Sequence, residues 1–194
     1  MHDKNRLRDS ELAAAAQAAV LIASHHLPRD KAVETVMLST GVRPSEAHIA
    51  SELRRWFACF DPEGHKSLLL KKRLAALTVL TSLSEWSPAL TGPVLAGDAL
   101  EDDPVTIVIR TDDEKAVELA LLAIGVEYDA VESSENGRSF KTVLHAECRG
   151  ESILITITNS RQPAKSALQD EWQRPEEALP KLSEKGLRRL LGMD

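Results

Sequence analysis

The hydrophobic period of the chain changes at the short stretch SPALTGP, residues 87–93, and that change narrows the folds open to it. Before the stretch, apolar residues recur every three or four positions, the spacing of a helix face. After it they alternate or run in short β-branched blocks, the spacing of strands. Pro88, Gly92 and Pro93 stop the helical pattern. Such a chain is expected to be α+β, with a helical bundle over 1–88, a small α/β domain with a mixed sheet and one packed helix over 89–160, and a tail of short helices over 161–194 docking on the body. Its 194 residues are enough for two such parts sharing an interface.

The front half predicts four helices. Ser10 is a plausible N-cap for an alanine-rich helix over about 10–26 that stops before Pro28. RDKAVETVMLSTG gives a shorter helix closed by Gly41. The next begins near Pro44 and sets Ile49, Leu53, Trp56 and Phe60 on one face. A fourth, about 63–86, aligns Leu70, Leu74, Leu77, Leu80 and Leu83, leaving Lys71, Lys72 and Arg73 mostly off that stripe. It is expected to pack against its predecessors as an antiparallel bundle.

Beyond the break, PVLAG and VTIVIR are expected to be strands. Thr111 with Glu114 predicts a capping box for a helix that turns Val117, Ala120, Leu121 and Ile124 inward and ends at Gly125. VEYDAV, SFKTVLHAEC and ESILITIT follow as strands, turned at Asn136-Gly137 and at Arg149-Gly150. In SFKTVLHAEC, Phe140, Thr142, Leu144, Ala146 and Cys148 share a side; in the last strand Ile153, Ile155 and Ile157 do. Trp172, Leu179, Leu182, Leu187 and Leu190 are the anchors expected to dock the tail.

Charge excludes some functions. The formal net charge of -6 divides unevenly: residues 1–90 hold 12 Lys+Arg against 10 Asp+Glu, residues 91–194 hold 12 against 20. A polynucleotide is held by clustered basic charge, so the acidic back half is not expected to bind nucleic acid. Two basic clusters in the front half, Arg54-Arg55 and Lys71-Lys72-Arg73, form a candidate patch for a phosphate or an acidic partner if their faces coincide. Three Trp, three Phe and one Tyr leave few stacking platforms for single strands.

No apolar run approaches the roughly 18 to 20 residues that span a bilayer, and the N-terminal stretch is too acidic for a secretory signal, so no membrane partner and a cytoplasmic location are expected. Cys59 and Cys148 stand outside any CxxC or Cys/His cluster and are expected to be packed thiols. His25-His26 sits at a helix end, and His48, His65 and His145 are assigned surface or packing roles. There is no P-loop, no G-x-G-x-x-G and no G-x-S-x-G.

The segment GPVLAGDALEDDPVTIVIR, residues 92–110, carries the most chemistry. Its order, strand ending in glycine, acidic linker, strand, helix and further strands, resembles the polymerase-β-like nucleotidyltransferase superfamily in its minimal form. That family has a Gly-Ser or Gly-Gly pair after the first strand, Asp-x-Asp or Asp-x-Glu on the second, and a third carboxylate on a later strand. The resemblance puts PVLAGD on the first strand with Gly97 as the family glycine and Asp98 in place of the small residue. The paired acids then fall on or near Pro104 and Thr106. Sliding the register brings Asp102 or Asp103 to the first acidic place, but its partner becomes Pro104 or Val105, and SILITIT holds no carboxylate.

The resemblance therefore implies a catalytically degenerate nucleotidyltransferase-like protein serving as a binding or regulatory module, its partner a protein or a nucleotide, with no cofactor. Gly97, Asp98, Asp102 and Asp103 are its candidate vestigial nucleotide or metal site. One alternative is an active transferase with an irregular site of Asp98, Asp102 and Asp103, which would need Mg²⁺. Another is a protein–protein interaction module without nucleotide binding, whose exposed sheet or helical groove recruits a partner; the plain structural reading of Asp98, Glu101, Asp102 and Asp103 is a solvated acidic turn.

Overall fold

The computed structural model describes residues 2–135, 139–158 and 181–193. The chain is α+β and divides into two compact units, Met1–Ser67 and Leu68–Asp194. The division falls inside a helix.

In the first unit, α1 (His2–His25), α2 (Arg29–Thr40) and α3 (Glu46–Phe60) pack together, α1 against both others. Alanine makes this close packing possible: Ala14, Ala15, Ala18, Ala19 and Ala23 are buried with Ile22, facing Ala32, Val33, Val36, Ile49, Leu53 and Phe57 from the other helices. Small side chains let helix backbones approach, and the burial removes apolar surface from water at about 25 cal/mol per Å². Gly41 ends α2 at φ 70°, donating its N–H to the Met37 carbonyl. Ser45 caps α3, its hydroxyl accepting from His48 N, one residue past the Pro44 near which the helix is expected to begin.

Two expectations are corrected here. α1 starts at His2 instead of near Ser10, because no residue in HDKNRLRD breaks a helix. The buried line on α3 is Ile49, Leu53 and Phe57, while Phe60 is 71% exposed. Steps of four and four carry that line, so Phe57 and not Phe60 is the inward aromatic, stacked on the buried His65 ring at 3.8 Å.

The fourth helix, α4 (Pro62–Ser82), starts in the first unit, and its later turns belong to the second. There Ala75, Ala76, Leu77, Val79, Leu80 and Leu83 join the core of the sheet. The expected bundle stripe thus serves the sheet, and Leu70, 49% exposed, is not part of the core.

The second unit is built on a six-stranded mixed sheet in the order β3-β4-β5-β2-β1-β6. The strands are β1 (Ala89–Thr91), β2 (Val105–Arg110), β3 (Tyr128–Glu135), β4 (Ser139–Cys148), β5 (Glu151–Thr158) and β6 (Leu182–Ser183). β2 and β5 run parallel and every other neighbouring pair is antiparallel. As the alternation predicted, Leu144, Ala146, Cys148, Ile153, Ile155 and Ile157 face inward, and Val105, Ile107 and Ile109 of β2 join them. They meet α4, Val117 and Leu121 of α6 (Glu114–Ala123), and Leu187 of α7 (Glu184–Leu190). Arg149 at φ 56° and Gly150 at φ 73° make the expected tight turn between β4 and β5.

PVLAG is not a strand. Gly92–Ala96 form a five-residue helix, α5, with Pro93 in its first turn and Gly97 closing it at φ 82°. Proline just inside a start and glycine just past an end is helix punctuation, and it overrides the apolar run. The predicted capping box also differs: Asp113 caps α6 by accepting from Ala116 N, and Thr111 Oγ1 accepts from Asp113 N. The Glu114 carboxylate instead accepts the Thr142 hydroxyl at 2.6 Å. Cys148 is buried as expected, whereas Cys59 is exposed. The Asn136-Gly137 turn and the tail anchors Trp172 and Leu179 lie outside the described residues.

Candidate functional site

β1 leads directly into α5, which leads through a short loop into β2, and Thr91 pairs with Thr106 across β1 and β2. The glycine next to the first strand is therefore Gly92, at φ 74°, and not Gly97. A Cβ on Gly92 would stand at ordinary contact distance, 3.4 Å, from Thr106 Oγ1, so it is the positive φ that favours glycine here. Thr106 alternates with the buried Val105 and Ile107, so it projects from the sheet face opposite the core. Its register partner on β5 is Leu154. The position beside the glycine thus carries a hydroxyl, and its neighbour on the parallel strand is apolar.

The acidic residues of this segment do not act as one cluster. Asp98 is buried, Glu101 and Asp102 are exposed, and the half-buried Asp103 turns its carboxylate back to accept from Leu100 N at 2.8 Å. That last bond closes the loop on itself, as aspartate side chains commonly do at turns. Among the described residues no group of three or more His, Cys, Asp or Glu could hold a metal ion.

What holds the loop is Lys72. Its Nζ is 1% exposed at the side chain and donates to the Glu101 carbonyl, the Asp103 carbonyl and Glu151 Oε2, each at 2.8 Å. An ammonium has three N–H donors and no acceptor, so these three bonds use its full capacity. Lys71, mostly exposed, reaches Glu151 Oε1 at 2.6 Å. Burial alone pushes the Glu151 carboxyl up, but hydrogen bonds from Lys71 and Lys72 outweigh it and leave the group below the ordinary glutamate value. Arg73 is half-buried and donates Nε to the Val94 carbonyl of α5 at 3.2 Å; burial lowers its pKa.

The three residues of the predicted basic patch that lie on α4 are engaged within the second unit. Lys72 is buried and saturated, and Lys71 and Arg73 bind the molecule's own β5 and α5. Arg54 and Arg55 belong to the first unit, are exposed, and Arg55 pairs with Glu52 at 3.0 Å. Sequence reading missed Gly92, Glu151 and the burial of Lys72. The signal for the last was present: Lys72 lies on the same helical line as Ala75, Ala76, Val79, Leu80 and Leu83. A hollow of about 820 Å³ elsewhere in this unit is bordered by Leu122, Tyr128, Asp129, His145 and Glu147, and no residue of 92–110 lines it.

Neither a protein-family profile nor a curated protein matches this chain. Among solved structures, Cid1 in complex with the UTP analogue UMPNPP aligns at a TM-score of 0.37 with 18% identity, over 56% of this chain and 37% of that one. Cid1 in a structure addressing its RNA terminal uridylyl transferase activity gives 0.38, 18%, 55% and 36%. The Cid1 poly(U) polymerase with MgGTP bound gives 0.36, 19%, 56% and 39%. The chain thus spans less than two fifths of the length of these proteins.

Proposed function

We propose that this chain is a nucleotidyltransferase-like protein whose site is catalytically degenerate, and that it works as a binding or regulatory module for a protein or a nucleotide. The observation that carries the reading is Thr106 beside Gly92. In the family resemblance, residues 104 and 106 should be the paired carboxylates, and here they are a proline and a threonine whose β5 neighbour is Leu154. Divalent-metal transfer needs anionic oxygens converging on the cation and the triphosphate. A hydroxyl and a pyrrolidine ring supply none, so the residues present do not fit Mg²⁺ and no transfer step is derived through it. No helix among the described residues is long and apolar enough to cross a membrane.

The test is calorimetric titration with nucleoside triphosphates, with and without Mg²⁺ or Mn²⁺. We expect any binding to be indifferent to the metal. Metal-dependent binding, lost in the Asp98→Asn, Asp102→Asn, Asp103→Asn triple variant shown by circular dichroism to be folded, would restore the active-transferase reading and overturn this one.

A further inference from the structure

The oxygens around Lys72 Nζ are arranged as a small-cation site. Two are backbone carbonyls, of Glu101 and Asp103, and the third is a carboxylate oxygen of Glu151. They come from two separate parts of the chain, the loop before β2 and the first residue of β5, while the ammonium comes from a third, α4. The parallel register of β2 and β5, Val105 against Ile153, leads Asp103 towards Glu151, and the bond from Asp103 N to the Leu100 carbonyl turns the loop there. Brought together in a buried place without a cation, two carbonyl dipoles and a carboxylate would repel one another.

We propose that Lys72 is a tethered internal cation: its ammonium fills a monovalent site built by loop 97–104 and Glu151, and thereby positions the entry to β2. The charge count selects a monovalent ion. Glu151 brings one negative charge, and Lys71 at 2.6 Å already offsets it in part, so a divalent ion would leave the buried place strongly positive. Donor geometry selects an ammonium, since three N–H bonds meet three acceptors at 2.8 Å. Lys72 is a positioning residue, acting on Pro104 and Thr106 through the Asp103 carbonyl that precedes them. The inference holds whether or not the Thr106 site is degenerate.

Truncation of Lys72 to alanine removes three methylenes and the ammonium, which together have the shape of n-propylammonium. The experiment compares thermal unfolding of the full chain with Lys72→Ala in n-propylammonium chloride, sodium chloride and tetramethylammonium chloride at equal ionic strength. We expect the variant to melt several degrees below wild type and to recover a large part of the loss in n-propylammonium alone, with wild type indifferent to the choice of salt. Tetramethylammonium has no N–H and is the control for charge without donors. Equal responses in all three salts, or an equal response of wild type, would overturn the proposal. If Lys72→Ala does not fold, the lysine ammonium signals of ¹⁵N-labelled wild type decide. A resolved, slowly exchanging ammonium resonance near neutral pH, lost in Lys72→Arg, supports the site; only fast-exchanging ammoniums sink it.

Discussion

Glu151 stands between two lysines that differ in what they risk on losing it. Lys72 is buried, and Lys71 is 60% exposed at its side chain and can turn to water. Removing one member of a buried pair leaves the other uncompensated and costs about 3 to 5 kcal/mol. We therefore expect Lys72→Met to lose about 3 kcal/mol in urea unfolding, the low end because Lys71 still serves Glu151, and Lys71→Met to shift the midpoint far less. The pH dependence follows from the direction of the Glu151 shift. Its carboxyl is lowered in the folded state, so the stability it contributes is present above the ordinary glutamate value of about 4.3 and is lost as pH falls through the lower folded value. Unfolding midpoints between pH 7 and pH 3 should fall steeply at the acid end for wild type. Glu151→Gln should start lower and decline less; parallel acid limbs would refute the assignment.

The elements show which patterns a sequence can declare. Alternation was legible wherever a strand has one buried face, as in Leu144, Ala146 and Cys148 or in Ile153, Ile155 and Ile157, because a period of two has no helical counterpart. PVLAG was misread because three apolar residues are too few to show a period, and only the Pro and Gly at its ends distinguish a helix turn from a strand. On α3 two aromatic choices fitted helical spacing, and packing selected Phe57. We expect Phe57→Ala to cost about 3 to 5 kcal/mol and Phe60→Ala to stay within about 0.5 kcal/mol, measured by chemical unfolding. Gly92→Ala at the β1–α5 junction should cost about 1 kcal/mol, since alanine is strained at φ 74°. The Lys72 site was illegible for a different reason: its acceptors lie 29, 31 and 79 positions away, so no local window contains them.

At the scale of the molecule, each unit has its own buried set, alanine-rich helix contacts in Met1–Ser67 and the sheet core in Leu68–Asp194. Destabilisation of one should therefore open its own amides first. Hydrogen exchange of Leu53→Ala is expected to rise across α1, α2 and α3 while β2, β4 and β5 keep their protection; uniform loss of protection would mean a single cooperative unit. The switch from helical to strand spacing was legible in the sequence, but the core that α4 serves was not, because an apolar stripe does not say which neighbour it meets. The parallel pairing of β2 with β5 has a further consequence in time. Thr158 Oγ1 reaches the Ile109 carbonyl across 49 positions, and Lys72 reaches Glu151 across 79. Contacts of such span carry a larger loop-closure cost than hairpins, so we expect them to close late, and on the ribosome Lys72 has no Glu151 acceptor until β5 has emerged. Lys72→Met should then speed unfolding in stopped-flow measurements and leave the folding rate nearly unchanged. The nascent chain would carry its acidic loop untethered until β5 is made.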